Sequence, residues 1–183
     1  PSILAMALMQ LGVFSAIPLV EQREKLILKR LGATPLPRGT LVASNIVVRL
    51  LIALVQTVLI VAIGVAVFDV SIIGSLLLVL GFVALGAMTF IAIGYVIASF
   101  ARTEEAANGI TSVVQFPMMF LSGIFFPIAF MPAFLQPIAA LMPLTYLGDA
   151  LRQVMVGGVP YAPLWVDALV LTGEVTWRCN WEV

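Results

Sequence analysis

Apolar runs of membrane length alternate with short polar breaks along almost the whole chain. The first run extends from about Ser2 to Val20, with Gln10 and Ser15 as its mid-segment polar interruptions. A charged island follows, Glu21 to Arg38, reading EQREKLILKRLGATPLPR. Runs from Leu41 to Phe68 and from Ser75 to Phe100 come next, separated by a short turn at Asp69–Gly74. A second polar break, ARTEEAAN (Ala101 to Asn108), precedes a fourth run from Gly109 to Phe126. A helix needs about 20 apolar residues to cross the hydrocarbon core. The pattern therefore predicts spanning helices at about 2–20, 41–68, 75–100 and 109–126. Within the third run, Gly81, Gly86 and Gly94 provide places for close helix approach.

The next region stays apolar but is broken by Pro127, Pro132, Pro137, Pro143 and Pro160. Proline removes a backbone donor and disrupts helix interiors, so one straight spanning helix is not expected. The pieces Pro132–Leu141 and Leu144–Val156 are too short to cross. Irregular backbone at membrane depth persists only when buried in protein or lining a cavity. Residues 127–158 accordingly read as short re-entrant or interfacial helices. Pro163 to Gly173 starts a further span, which Glu174, Arg178 and Glu182 cut short at roughly 11 residues. Residues 174–183 read as an anomalous tail. Pro1 lies inside an apolar run with no initiator Met, so the expectation is a fragment of a longer protein.

Composition agrees with this class. The chain is 62% hydrophobic and 10% charged, with a mean hydropathy of +1.17, whereas soluble domains carry about 25% charged residues. The expected fold is an all-α polytopic membrane protein. With no histidine and a single cysteine, Cys179, imidazole catalysis, a His/Cys metal site and an internal disulfide are excluded. The scattered basic residues give no nucleic-acid footprint.

The island holds seven of the eighteen charged residues, five of them basic. Lys/Arg bias at segment ends sets orientation: the island is expected in the cytoplasm, Asp69 outside, ARTEEAAN inside again and the proline-broken region outside. Arg152 is the exception, and Arg49, about two turns into its run, is expected to snorkel back to the interface. On a helix, Ile27, Leu28 and Leu31 share a face flanked by Lys25, Lys29, Arg23 and Arg30, with Glu21 and Lys25 spaced for an ion pair. Gly32 and then Thr34-Pro35 end it. From the residues alone, a lipid-surface anchor and a docking element for a soluble partner both remain open.

EQREKLILKRLGATPLPR resembles the cytoplasmic loop of type 2 ATP-binding-cassette (ABC) exporter permeases, where an E-R/Q-E-K-rich segment ends in a T-P-L step. A second stretch, LSGIFFPIAFMPAFLQPIAALMPLTYLGDALRQ (residues 121–153), is similar to that family's S-G-x-x-F-P, P-x-x-L-Q-P and P-L-T-Y-x-x-D-x-L-R steps. The resemblance covers residues 1–173, a transmembrane permease domain. It implies six spans in the full protein, about five of them here with the first missing, and a re-entrant helical hairpin before the last. It also implies that segment 21–38 carries a coupling helix, with Glu21, Arg23, Glu24, Lys25, Lys29, Arg30, Thr34 and Pro35 docking on an ATP-hydrolysing subunit. Arg102, Glu104 and Glu105 would form a second contact. The outer region would include Gly123, Phe126, Pro127, Pro132, Pro137, Pro143, Tyr146, Asp149 and Arg152. Leu26 stands where relatives commonly have Gly, which implies a straighter or longer coupling helix.

The implied function is the permease subunit of an ABC exporter, moving a drug, lipid or glycan-type substrate outward across a bacterial or archaeal plasma (inner) membrane. No GxxxxGK[ST] phosphate loop is present. The chain is thus expected to bind no cofactor itself, with ATP and Mg in the partner subunit, and to pair with a second permease copy or a homologue in the bilayer. Two other readings stand beside this one. An ion-gradient-driven transporter would place ionisable residues near mid-membrane, and the runs lack Asp and Glu until Asp167. A non-transporting scaffold is the other. At the outer side, Asp149 and Arg152, spaced i,i+3, read as a pair on one helical face. Tyr146, Tyr161 and Trp165 suit an aromatic belt, and Gln56 and Gln115 are expected to bond across helices.

Overall fold

The computed structural model describes residues 1–24, 38–68, 75–124, 132, 134–157 and 162–179, with the backbone alone at 23, 38–42, 67–68, 76 and 174–179. Every regular element among the described residues is helical. Three stretches are long and apolar enough to cross a membrane: Ser2–Gln22, Ala43–Ala66 and Leu77–Phe100.

The first is not one helix. α1 spans Ser2–Val13 and α2 spans Ala16–Glu24. Pro18, in the first turn of α2, has no N–H to offer the Phe14 carbonyl, and its ring would collide with that carbonyl in a continuous helix. The chain turns at Phe14–Ser15 instead, with Ser15 N–H bonded to the Gly12 carbonyl at 3.0 Å. The helix then runs on past the apolar stretch, so Glu21 to Glu24 of the charged island belong to α2.

α3, Arg38–Phe68, begins three residues before the predicted run, and α4, Leu76–Phe100, matches its run within a residue. Arg49 departs from expectation: its Nη1 donates to the Leu11 carbonyl at 3.2 Å instead of reaching back toward an interface. α4 is the most enclosed of the candidate spans, with α1, α3 and α8 packed around it. A Cβ at Gly12 would fall inside Phe90 of α4, and one at Gly94 would fall on Ser15 Oγ and the Gly12 carbonyl. These glycines let the α1 and α4 backbones touch. Gly86 has the same role under Leu147. Gly81 faces open space, contrary to the helix-contact role expected of it.

α5, Glu104–Leu121, starts five residues earlier than the fourth predicted run and ends five earlier. It is not among the three stretches apolar enough to span by composition. Gly123, at φ 76°, turns the chain after its end. In the proline-broken region α7, Pro143–Val156, matches the second predicted piece within a residue, while the short α6, Gln136–Ala140, covers only the latter part of the first. Thr145 and Tyr146 hydroxyls bond the Ala139 and Ala140 carbonyls, each at 2.7 Å, which closes the α6–α7 joint. α8, Leu164–Cys179, continues through Glu174 and Arg178, so the polar residues expected to end the last segment do not end the helix. Backbone hydrogen bonding does not require apolar side chains; polarity sets depth in a bilayer, not helicity.

The core lies where α1, α4 and α7 meet, with Leu4, Leu8, Met9, Val83, Phe90, Leu147 and Leu151 fully enclosed. Thr57 and Thr172 turn their hydroxyls back on their own helices, to Ala53 and Ala168, which removes an unmet donor from an apolar setting; Thr111 Oγ1, buried in α5, has no such partner. Gln56 and Gln115 are half-buried, and the cross-helix bonds expected of them are not found among the described residues.

Candidate functional site

The first site is the junction of the two polar breaks. Thr103 is extended (φ −128°, ψ 157°), and its Oγ1 accepts the Ala106 N–H at 3.2 Å, the usual N-cap arrangement. Glu104 and Glu105 occupy the first turn of α5, where the helix dipole favours negative charge. A third carboxylate arrives from another helix: Glu24 Oε2 accepts the Glu104 N–H at 3.1 Å. The described end of the first segment, Glu24, and the start of the second, Glu104, therefore meet at the end of α2 and the start of α5.

Glu24, Arg102, Glu104 and Glu105 are exposed there, and Glu21 is half-buried beside them on α2. The backbone of Arg23 lies in α2. Lys25, Lys29, Arg30, Thr34 and Pro35 fall outside the described residues, as do Leu26 and the helix end expected at Gly32. What the described part offers is a solvent-facing array of charge braced by a helix-to-helix hydrogen bond.

The second site lies in α7 and α8. Asp149 is buried, and its Oδ2 accepts from Gln153 Nε2 at 2.8 Å and from the Ala162 backbone N–H at 3.1 Å. Gln153 Nε2 also reaches the Ala162 carbonyl at 2.7 Å and Asp167 Oδ2 at 3.4 Å. Asp167 is fully buried, and its Oδ1 has no hydrogen-bond partner. One amide thus bridges two enclosed carboxyl groups. Asp149 Oδ2 is thus served by Gln153 and Ala162, and Arg152, expected to pair with Asp149, is exposed. The physical reason is local: Gln153 sits one turn on from Asp149, and the chain entering α8 brings the Ala162 N–H back over α7.

Among the other predicted residues of this region, Pro143 is buried at the start of α7, while Pro132 and Pro137 are exposed. Gly123 makes the turn after α5; Phe126 and Pro127 lie outside the described residues, as does Tyr161. Trp165 is largely exposed, whereas the Tyr146 hydroxyl points inward to α6. Gln153 was missed as a site residue, although its i,i+4 spacing from Asp149 was the available signal. Among the described residues, no group of three or more acidic or Cys side chains is placed to hold a metal ion.

A bundle of apolar helices, with a charged surface built from two separate breaks and a polar cluster in its final helices, defines a polytopic membrane protein. Residues 1–175 match the model of the ABC-2 family transporter proteins, and the chain belongs to that family. It is 28% identical over 159 residues to ABC transporter G family member 20 of Dictyostelium discoideum, covering 86% of this chain and 22% of that one. It is 26% identical over 156 residues to the probable multidrug ABC transporter permease YbhR of Escherichia coli (strain K12), covering 84% and 42%. It is 25% identical over 171 residues to the putative transport permease YvfS of Bacillus subtilis (strain 168), covering 93% and 66%. The chain thus spans less than half the length of the first two relatives. No solved structure matches it.

Proposed function

We propose that this chain is the membrane-spanning part of an ABC exporter, converting ATP hydrolysis on a partner subunit into outward movement of a substrate. The observation that carries the reading is the Glu24–Glu104 contact, which ties the charged island to the second polar break at a helix N-terminus. A surface that must receive a push needs to be exposed, charged and rigidly attached to the spanning helices. Here Glu24 is one helix with the end of the first span, and Glu104 begins α5.

In this reading the segment 21–38, with Glu21, Arg23, Glu24, Lys25, Lys29, Arg30, Thr34 and Pro35, docks on the ATPase, and Arg102, Glu104 and Glu105 add the second contact. ATP and Mg belong to that partner. Closure of the ATPase displaces this end and switches the helices between two rigid-body arrangements. α1–α2, α3, α4, α5 and the apolar part of α8 are the five spans, with the charged surface in the cytoplasm. The membrane is the plasma (inner) membrane of a bacterium or archaeon, and a second permease copy or homologue completes the path. The re-entrant reading of the region before α8 is supported by Leu147, which seats over Gly86, roughly 15 Å along α4 from its start at 1.5 Å per residue. Substrate class remains a drug, lipid or glycan type.

The test is co-purification of the full-length protein with its ATPase, comparing wild type with Glu24→Lys plus Arg30→Glu. Loss of the partner, or of substrate-stimulated ATPase activity in the assembled complex, is expected; both surviving intact overturns the reading.

The buried pair Asp149 and Asp167 supports a second reading, transport driven by an ion gradient. It predicts that Asp167→Asn abolishes transport while ATP depletion leaves it unchanged, and the converse pattern removes it.

A further inference from the structure

The break between α1 and α2 leaves a carbonyl to be satisfied. In an unbroken helix the Ser15 N–H would bond Leu11; here it turns to Gly12 at 3.0 Å, and Ile17 N–H bonds Phe14 at 3.4 Å. Leu11 is served from another helix, by Arg49 Nη1 at 3.2 Å. A helix C-terminus presents open carbonyls and partial negative charge. An open carbonyl and a guanidinium are each costly within a bilayer, so each resolves the other's problem. Arg49 is the only charged residue between Arg38 and Asp69.

The two sides of the break are held differently. On the α1 side, Gly12 touches Phe90, and Gly94 touches the Gly12 carbonyl and Ser15, so α1 is seated directly on α4. Beyond the break, α2 packs through Ala16 and Val20 against the same core and touches both α4 and α5, while Glu24 at its end meets the start of α5. Ser15 Oγ packs against Gly94 at the turn but has no hydrogen-bond partner, so no side-chain hydrogen bond of Ser15 fastens the turn. Between the α1–α4 seat and the Glu24 end, Phe14–Ser15 is the one interruption of the helix, and so the place where a displacement of the Glu24 end is most readily taken up.

We propose that the Phe14–Ser15 break is the pivot at which motion of the charged segment enters the helix bundle, and that Arg49 is a positioning residue holding the α1 side of that pivot to α3. This rests on the coupling reading above and adds to it where the motion is absorbed and which residue keeps it from spreading into α1.

The experiment uses the full-length protein with its ATPase in lipid nanodiscs, carrying Cys179→Ser and spin labels at Ile3→Cys and Gln22→Cys. These positions lie roughly 28 Å apart along a straight helix, within reach of electron–electron double resonance. With Arg49 intact, trapping ATP and orthovanadate on the partner is expected to shift this distance by a few ångströms. Arg49→Leu is expected to broaden the distribution and lose most of the shift while the ATPase still co-purifies, and Arg49→Lys to recover it. A merely structural role would lower stability without separating the shift from assembly. Pro18→Ala restores the missing donor and is expected to shrink the shift with Arg49 in place; it carries the test if Arg49→Leu does not assemble. An undiminished shift in Arg49→Leu or in Pro18→Ala overturns the proposal, as does a parent complex that shows none. Failure of the coupling reading is seen separately, as retained binding and stimulated ATPase activity in the Glu24→Lys plus Arg30→Glu protein.

Discussion

Glu24 and Glu104, eighty positions apart, meet where the Glu24 carboxylate accepts the first N–H of α5 at 3.1 Å. Like-charged residues would ordinarily repel, but the acceptor here bonds a backbone donor at the positive end of a helix dipole. Thr103 serves a different donor, that of Ala106, so the two caps do not compete. The result joins the outgoing end of one predicted span to the incoming end of another.

Removing that carboxylate tests the bond apart from docking. Glu24→Gln keeps an acceptor but loses the charge–dipole term, and the exposed setting holds the loss to about 0.3–1 kcal/mol. Hydrogen exchange at the Glu104 amide is expected to quicken with little change in the melting temperature.

The intrahelical cap is worth more. Thr103→Ala leaves the Ala106 N–H without its side-chain acceptor, at a cost of about 1 kcal/mol. Exchange at Ala106 and fraying of the first turn of α5 report the loss, and Thr103→Ser is expected to restore most of it.

Close approach of α1 and α4 makes an unequal pair of glycine substitutions. Gly12→Ala places a Cβ inside Phe90, and overpacking of this kind costs about 1–3 kcal/mol. Gly81→Ala meets nothing within 4 Å and is expected to leave the melting temperature unchanged or slightly raised. Thermal unfolding in detergent separates the two.

In the α7–α8 cluster, Gln153→Leu deletes the amide that serves Asp149, Asp167 and the Ala162 carbonyl at once. Leaving buried acceptors unmet costs about 1–3 kcal/mol each, so the melting temperature should fall. Asp167→Asn has the opposite expected sign, because it replaces a buried acid whose Oδ1 has no partner by an amide of the same shape. Since one cluster is shared, the change in melting temperature of the double variant is expected to differ from the sum of the two single changes.

The helical class, the three long apolar stretches and the division of the proline-broken region into two short helices were legible in the residues. Each depends on short-range physics: an apolar run long enough for a bilayer, or a proline that denies a donor. The last apolar stretch, Leu164–Gly173, is as short as expected, but helices run on past the apolar residues. α5 begins inside ARTEEAAN, and α8 passes Glu174, because a helix continues wherever its own backbone bonds are met.

Site residues divide in the same way. The exposed charges Glu24, Arg102, Glu104 and Glu105 stand out in an apolar chain, and their meeting point does not. Arg49 was expected to reach for the interface because it lies only about two turns into its run. Only the break at Phe14–Ser15, brought alongside α3, supplies an acceptor. For Asp149 the residues suggested Arg152 as a partner, and the approach of Ala162 adds a backbone donor that its neighbours in sequence do not show.

The sequence by itself determined that this chain is a membrane protein of several helices, where most of those helices run, and which charges stand apart from the lipid, since all three follow from composition and spacing along the chain. The tertiary structure decided which distant groups satisfy one another. Glu24 finds the start of α5, Arg49 the open end of α1, and Gln153 two acids. Those partners are fixed by the folding of separated segments against each other, which the spacing along any one segment does not encode.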